Sequence, residues 1–110
     1  MIEVREYLDD KGNSPYAKWF DHLNVTAAVK VSTALHRMEH GNFSNVKGVG
    51  AGVFEYRIDF GPGYRIYFGK DGDQLVILLA GGTKKRQDVD ITAAKANWQD
   101  YKRRKRREVS

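Results

Sequence analysis

The sequence predicts a single α+β domain in which a mostly antiparallel sheet has a helical hairpin packed on it and a C-terminal helix. Apolar residues recur at helical spacing in residues 15–38 and 91–101, whereas they alternate with polar residues in residues 53–68. A chain of 110 residues has room for one core of this kind. The predicted element order is therefore β-α-α-β-β-β-α.

The first half of the chain predicts one strand followed by two helices. Residues 2–8 alternate apolar and polar side chains, which is typical of a half-buried strand. Ser14 followed by Pro15 is a strong helix start, because serine caps free backbone amides and proline needs no amide partner there. A short helix over residues 15–23 follows, and Asn24 then caps a second helix. The two helices are expected to form a hairpin with almost no loop.

The second half predicts a three-stranded meander and a last helix. Residues 53–60 and 64–68 alternate strictly and flank the turn sequence Gly-Pro-Gly, which favours an antiparallel hairpin. The run QLVILLAGG, residues 74–82, is apolar on both faces, as expected for a strand that neighbours or helices cover. The final helix is predicted to start around Asp88 or Asp90, since apolar residues follow at helical spacing.

Most of the excess positive charge lies at the C-terminus. The net charge is +5, and the run KRRKRR at residues 102–107 holds six of the nineteen Lys and Arg residues. We therefore divide the chain into a folded domain, residues 1–101, and a basic tail, residues 102–110. The tail is either a frayed, solvated helix end or an arm that binds the phosphates of RNA or DNA. Its candidate RNA-binding residues are Lys102, Arg103 and Arg104.

Composition excludes several classes of site. The chain has no cysteine, so it has no disulfide, thiolate nucleophile or cysteine zinc site. We predict no metal site, because the three histidines lack paired ligand spacing, and no cofactor, because the glycine-rich stretch near residue 48 precedes a strand. The longest apolar run, residues 75–80, is far shorter than the roughly 20 residues that cross a bilayer. We expect a cytoplasmic protein with no membrane partner.

Two arginines lie in the predicted hairpin RIDFGPGYRIYF, residues 57–68. A three-residue Gly-Pro-Gly loop would place Arg57 opposite Tyr67. The same register would place Asp59 opposite Arg65, so both arginines would share one face of the sheet.

This face has two interpretations. It is either a polar face with no binding function, in which Asp59 and Arg65 form a cross-strand ion pair, or a surface that binds RNA. Arginine makes bidentate contacts to phosphate, and a tyrosine such as Tyr67 stacks on an unpaired base. The segment GGTKKR adds three cations at the end of the sheet: Lys84, Lys85 and Arg86.

Three blocks of the sequence resemble a known family. FEYRIDFGPGYRIYF, KDGDQLVILLAGGTKKRQDVDI and AKANWQDYK are similar to the RelE/ParE superfamily of bacterial toxin–antitoxin toxins, in particular its HigB-like addiction-module killer proteins. The resemblance runs from the first strand to Lys102. It implies a RelE-like domain that enters the ribosomal A site and cleaves mRNA, by attack of an RNA 2′-hydroxyl on the adjacent phosphate. The implied partners are a cognate antitoxin, the ribosome and mRNA.

The resemblance also assigns candidate catalytic residues. It matches the strand-borne basic residues of the family to Arg57 and Arg65, and the basic cluster after the last strand to residues 84–86, of which Lys84 and Lys85 are catalytic candidates and Arg86 an RNA-binding one. Arg65 would stabilise the phosphate in the transition state and Arg57 would orient the RNA backbone. Either lysine could act as the base.

Two alternatives to RNA cleavage remain open from the sequence. The ParE branch of the same superfamily suggests an inhibitor of DNA gyrase, which acts by binding a protein. The basic tail alone suggests a non-catalytic nucleic-acid-binding module. We expect a monomer in isolation under each alternative.

Overall fold

A five-stranded sheet lies between two layers of helices in the structure, a computed structural model that describes residues 1–109. The elements along the chain are β1 (Glu3–Glu6), α1 (Pro15–Phe20), α2 (Val25–Glu39), β2 (Val46–Gly50), β3 (Val53–Ile58), β4 (Tyr64–Lys70), β5 (Leu75–Thr83), a 3₁₀ turn (Lys84–Arg86) and α3 (Gln87–Val109). The strand order is β1-β5-β4-β3-β2, and only the β1–β5 pair is parallel among the described residues. The predicted α+β class with a mostly antiparallel sheet is confirmed.

One strand was missing from the predicted element order. The segment VKGVG, Val46–Gly50, pairs antiparallel with β3, so the observed order is β-α-α-β-β-β-β-α. Glycine has no side chain that would mark one face of a strand, so the two glycines hide the alternation on which the prediction rests. The pairing is also irregular between Gly48 and Gly50, which interrupts the period further.

The two predicted helix starts are confirmed. The Ser14 side chain accepts a hydrogen bond from the Ala17 amide at 3.0 Å, and the Asn24 side chain accepts one from the Ala27 amide at 2.8 Å. Each cap therefore satisfies a backbone amide that has no partner inside its helix. The first helix ends at Phe20, earlier than predicted, because the chain must leave helical geometry to reach the extended backbone of the Asn24 cap.

Each face of the sheet buries its own core. One core lies under α1 and α2, and the other lies under α3, whose Ala94 and Trp98 are buried. The central strand β5 contributes to both cores, as its apolar run predicted. Tyr7 lies on the predicted polar side of the first strand, yet it is buried in the α3 core while Leu8 is exposed. The reason is that helices cover both faces, so neither side of the strand is free for polar residues alone.

The hairpin between β3 and β4 has a longer loop than predicted. Ile58 pairs with Tyr64, so residues 59–63 all belong to the loop. Two backbone hydrogen bonds close it: the Phe60 amide donates to the Ile58 carbonyl, and the Gly63 amide donates to the Phe60 carbonyl. The strand therefore ends two residues earlier than a three-residue loop would allow.

The longer loop changes which residues lie opposite each other on β3 and β4, but not the face of the sheet on which each side chain lies. Arg57 lies opposite Arg65, and Glu55 lies opposite Tyr67. A shift of two residues keeps each side chain on its face, so the prediction that both arginines share a face is confirmed. The predicted pairing of Asp59 with Arg65 is wrong, because Asp59 lies in the loop and is exposed.

The basic C-terminal segment continues α3. Residues 102–109 are helical, while Ser110 lies outside the described residues, and the division of the chain at residue 101 stays a prediction. Asp100 accepts hydrogen bonds from the Tyr7 hydroxyl and from Arg104, which joins the helix to the first strand. Within residues 1–109, no helix combines the length and the apolar character needed to cross a membrane.

The contact at Asp100 makes stability depend on pH. Hydrogen bonds from Tyr7 and then Arg104 lower the pKa of Asp100 from its ordinary 3.8 to about 2. Because the pKa of Asp100 is lower in the folded state, the ionised carboxylate stabilises the fold. This stabilisation is fully present above about pH 5 and is lost as the pH falls towards 2. We expect Asp100→Asn to lower Tm at pH 7 and the gap to wild type to close between pH 5 and pH 2, measured by circular dichroism.

The control for this prediction is Asp73→Asn. Asp73 is exposed and has no ion pair within the part of the chain that the structure describes. Its substitution should leave Tm unchanged at every pH. A gap between Asp100→Asn and wild type that is the same at pH 7 and pH 2 would contradict the role of the carboxylate.

Candidate nucleic-acid interface

Five cations lie at one end of the sheet. Arg57 is next to last in β3 and Arg65 is second in β4, and the 3₁₀ turn follows the end of β5. Because β3, β4 and β5 are neighbours and antiparallel, these three strand ends meet. The backbone amide of Lys84 donates to the Gly63 carbonyl at 2.7 Å, which ties the turn to the hairpin loop. We call Arg57, Arg65, Lys84, Lys85 and Arg86 the strand-end cations.

Four of the strand-end cations are exposed: Arg57, Lys84, Lys85 and Arg86. None of these four forms an ion pair with a carboxylate in residues 1–109. Arg86 does act electrostatically on the Asp90 carboxylate. Cations gathered on one surface without a close carboxylate attract a ligand of the opposite charge. This end of the sheet is therefore suited to a polyanion.

Arg65 is buried, with only 4% of its surface exposed. Its Nε lies 3.6 Å from Oε1 of Glu55, and its Nη1 donates a hydrogen bond to the Tyr64 carbonyl at 3.1 Å. Its guanidinium is thus held from two sides. The sequence predicted a cation fixed within the sheet here, but not its partner, since Glu55 replaces Asp59.

The backbone of Gly63 lies close to both the Arg65 guanidinium and the Lys84 side chain. A Cβ at Gly63 would lie 3.5 Å from Nη1 of Arg65 and 3.4 Å from Cβ of Lys84. Gly63 has φ +80°, a conformation that favours glycine, so the backbone itself keeps this position free of a side chain. Gly63 therefore lies between a buried arginine and an exposed lysine.

Tyr67 does not belong to the interface. It is fully buried in the core under α3, where it lies opposite Ala80 on β5. Burial raises its pKa above the ordinary value, and the nearby carboxylates of Glu55 and Asp90 raise it further, so the phenol is neutral. The predicted stacking of a base on Tyr67 is wrong, because α3 covers this face of the sheet.

A groove on the α2 side of the sheet carries two further cations near Arg57. It lies between α2 and the end of β3, has a volume of about 320 Å³, and is lined by Lys30 and Arg37 as well as Arg57. The Lys30 ammonium also lies 5.2 Å from the centre of the Phe60 ring. Sequence reasoning missed both α2 cations, although their spacing of seven residues puts them on one helix face.

The tail cations lie far from the strand-end cations. Lys102 is fifteen positions beyond Gln87, the first residue of α3. At 1.5 Å per residue, about 23 Å of helix separates the two. Lys105 contacts Asp71, in the turn at the opposite end of the sheet. Binding of RNA by Lys102, Arg103 and Arg104 stays a prediction.

Several tail cations already have partners in the folded domain. Arg103 and Arg104 form ion pairs with Asp100, and Arg104 also donates to the Leu8 carbonyl. Lys102 lies 5.6 Å from the centre of the Trp98 ring. Most of these contacts lie within α3, whereas the bond from Arg104 to Leu8, together with the Lys105–Asp71 ion pair, ties the end of α3 to the rest of the domain.

The fold and the strand-end cations define a small α+β domain with one basic, phosphate-compatible surface. A family model described as "Phage derived protein Gp49-like (DUF891)" matches residues 18–103, so the chain belongs to this family, which is toxin-like and of the phage and plasmid addiction type. An uncharacterised protein of Haemophilus influenzae is 44% identical over 81 residues, which cover 73% of this chain and 82% of that protein. The matched residues of the family model include all five strand-end cations.

Proposed function

We propose that this chain is the toxin of a type II toxin–antitoxin system and that it is an endoribonuclease, which cleaves mRNA in the ribosomal A site and arrests translation. The observation that carries the proposal is that the fixed guanidinium of Arg65 and the side chain of Lys84, which has no ion pair in residues 1–109, both lie against Gly63. The toxin-like family supports a toxin with a cognate antitoxin. The resemblance to RelE and HigB-like proteins supports the ribosome and mRNA as targets.

The proposed reaction uses charges that the protein fixes in advance. The RNA 2′-hydroxyl attacks the adjacent phosphorus, and the bond from phosphorus to the 5′ oxygen breaks. Negative charge builds up on the phosphate oxygens in between, so a cation already held in place stabilises this state more than the bound substrate. Arg65 has this role, and Arg57 orients the RNA backbone.

The two lysines complete the proton balance. Of Lys84 and Lys85, one accepts the proton of the 2′-hydroxyl and the other donates a proton to the departing 5′ oxygen. Lysines on an exposed turn do not align a flexible RNA by themselves. The ribosome supplies that alignment by holding the mRNA, which lowers the entropic cost of the reaction. Free RNA is therefore expected to remain uncut.

Mapping of mRNA 5′ ends after brief induction in bacteria tests the proposal. We expect growth arrest, with new 5′ ends inside reading frames at a fixed position within codons. The same protein mixed with RNA without ribosomes should give no new ends. Cleaved DNA with intact mRNA would instead support a gyrase inhibitor, and salt-sensitive binding without cleavage or toxicity would support a non-catalytic module.

A double substitution of the lysines tests their part in the site. Lys84→Ala/Lys85→Ala should lower the rate of mRNA cleavage by about 100-fold or more, because it removes both groups that move protons. Both side chains are exposed, so Tm should change little. The matched control is Lys11→Ala/Lys18→Ala, which removes the same charge from exposed positions elsewhere. Equal cleavage by the two double variants would exclude both lysines from the chemistry.

A further inference from the structure

Glu55 is a completely buried carboxylate on β3, with 0% of its surface exposed. Its Oε1 faces Arg65 at 3.6 Å, and Lys47 reaches the same oxygen at 4.0 Å. Its Oε2 accepts a hydrogen bond of 2.6 Å from the side-chain amide of Gln87. A single carboxylate thus connects β2, β4 and the first residue of α3.

Stability alone does not account for a buried ion pair here. Removing two charges from water costs several kcal/mol for each ion, and well-packed apolar residues of similar size are often at least as stabilising. The distance of 3.6 Å also exceeds a hydrogen bond, and both Oε1 of Glu55 and Nε of Arg65 lack a hydrogen-bond partner. The pair therefore acts mainly by fixing a charge in a defined place.

The contacts of Arg65 fix the orientation of its guanidinium. Glu55 faces the Nε side, and the Tyr64 carbonyl accepts from Nη1. Nη1 also lies next to Gly63, and it carries a second N–H besides the one that donates to Tyr64. The carboxylate behind the guanidinium and the carbonyl beside it thus set the direction in which the arginine meets an incoming phosphate.

We propose that Glu55 is the positioning residue of the cleavage site: it fixes the Arg65 guanidinium beside Gly63, and Gln87 holds Glu55 in turn. This inference rests on the proposed endoribonuclease function. Glu55 does not touch the RNA, since it is buried, and it acts only through Arg65. Gln87 couples the site to the start of α3, so a shift of that helix would change the alignment of Arg65.

The test measures binding and cleavage separately with ribosomes that carry mRNA. Glu55→Gln keeps the shape of the side chain and removes its charge. We expect its single-turnover cleavage rate to fall about 100-fold, the size of effect that a misplacement of 1 Å produces, with affinity for the ribosome unchanged. The matched control is Glu6→Gln, the same substitution at an exposed position on β1, which should cleave at the wild-type rate.

A second substitution separates positioning from a general loss of structure. Arg65→Lys keeps the positive charge beside Glu55 but lacks the planar fork of arginine. If Glu55 acts through Arg65, adding Glu55→Gln to Arg65→Lys should lower the cleavage rate by less than about 3-fold further. If Glu55 instead had a structural role independent of Arg65, the fold-losses in cleavage rate of the two single variants would multiply in the double variant. If Glu55→Gln does not fold, Gln87→Met gives the same test, with an expected loss of about 10-fold.

An NMR signal reports the alignment without any activity. The Nε–H resonance of Arg65 should exchange slowly with water in the wild type and at least 10-fold faster in Glu55→Gln or Gln87→Met. A wild-type cleavage rate in either folded variant, with slow exchange retained, would overturn the inference and leave the endoribonuclease function standing. Absence of cleavage by the wild type would overturn both.

Discussion

Arg65→Ala is expected to destabilise the domain by about 3–5 kcal/mol, because it leaves the buried Glu55 carboxylate with only the half-exposed Lys47, 4.0 Å away. Both members of the pair are buried, so water cannot replace the lost partner without opening the core under α3. Urea unfolding followed by circular dichroism measures this loss. Loss of toxicity in Arg65→Ala alone would therefore not identify Arg65 as catalytic, which is why Arg65→Lys is the diagnostic variant.

Two further variants make this expectation specific. Arg57→Ala removes the arginine directly opposite on β3, which is exposed, and should change the free energy of unfolding by less than about 0.5 kcal/mol. Arg65→Ala/Glu55→Gln also removes the buried negative charge that has lost Arg65, so it should be more stable than Arg65→Ala by at least about 1 kcal/mol. A loss below about 1 kcal/mol in Arg65→Ala would show that the pair is solvated in solution.

Periodicity was sufficient to predict which residues share a face. Strand side chains alternate whatever the register, so Arg57 and Arg65 could be placed together from the sequence. Their cross-strand partners could not, since these depend on loop length. The sequence Gly-Pro-Gly marks a turn, but nothing in it indicates that Asp59 and Phe60 also leave the strand.

Burial was harder to predict than position. The alternation put Glu55 and Tyr67 on the arginine face, yet only the placement of α3 decides whether that face meets water.

Similarly, the charge run at the C-terminus looks like a solvated end. Its packing depends on Asp71 and Asp100, and Asp71 lies more than thirty residues earlier in the chain. Contacts between distant segments of this kind leave no local pattern in a sequence.

The family comparison supports the class suggested by the sequence at a coarser level. The sequence blocks resemble RelE and HigB-like toxins, and the chain belongs to a toxin-like addiction family. The sequence resemblance and the family comparison therefore agree on a toxin-like protein. The ribosome, the mRNA and the cleavage reaction belong to the proposal and are decided by the 5′-end mapping.

Gly69→Ala should destabilise the domain by about 1–3 kcal/mol, a loss that overpacking of a well-packed core typically causes. A Cβ at Gly69 would lie 2.6 Å from two ring atoms of Trp98, which α3 lays across β4. Real Cβ atoms do not approach an indole this closely, so the ring and α3 must move away from the sheet. Thermal unfolding should show a fall in Tm of roughly 5–15 °C.

The matched control is Gly48→Ala, a glycine in β2 whose added Cβ would meet only Phe54, at 4.0 Å. We expect Tm to stay within about 3 °C of the wild type, because this backbone suits alanine and no neighbour is displaced. Trp98→Leu removes the indole, so Gly69→Ala in that background should cost less than about 0.5 kcal/mol further. Equal losses from Gly69→Ala with and without Trp98 would contradict the contact, since the cost would then arise in the strand itself. Gln87, the first residue of α3, donates a hydrogen bond to Glu55. A displacement of Trp98 that moves α3 should therefore weaken this bond and lower the rate of mRNA cleavage.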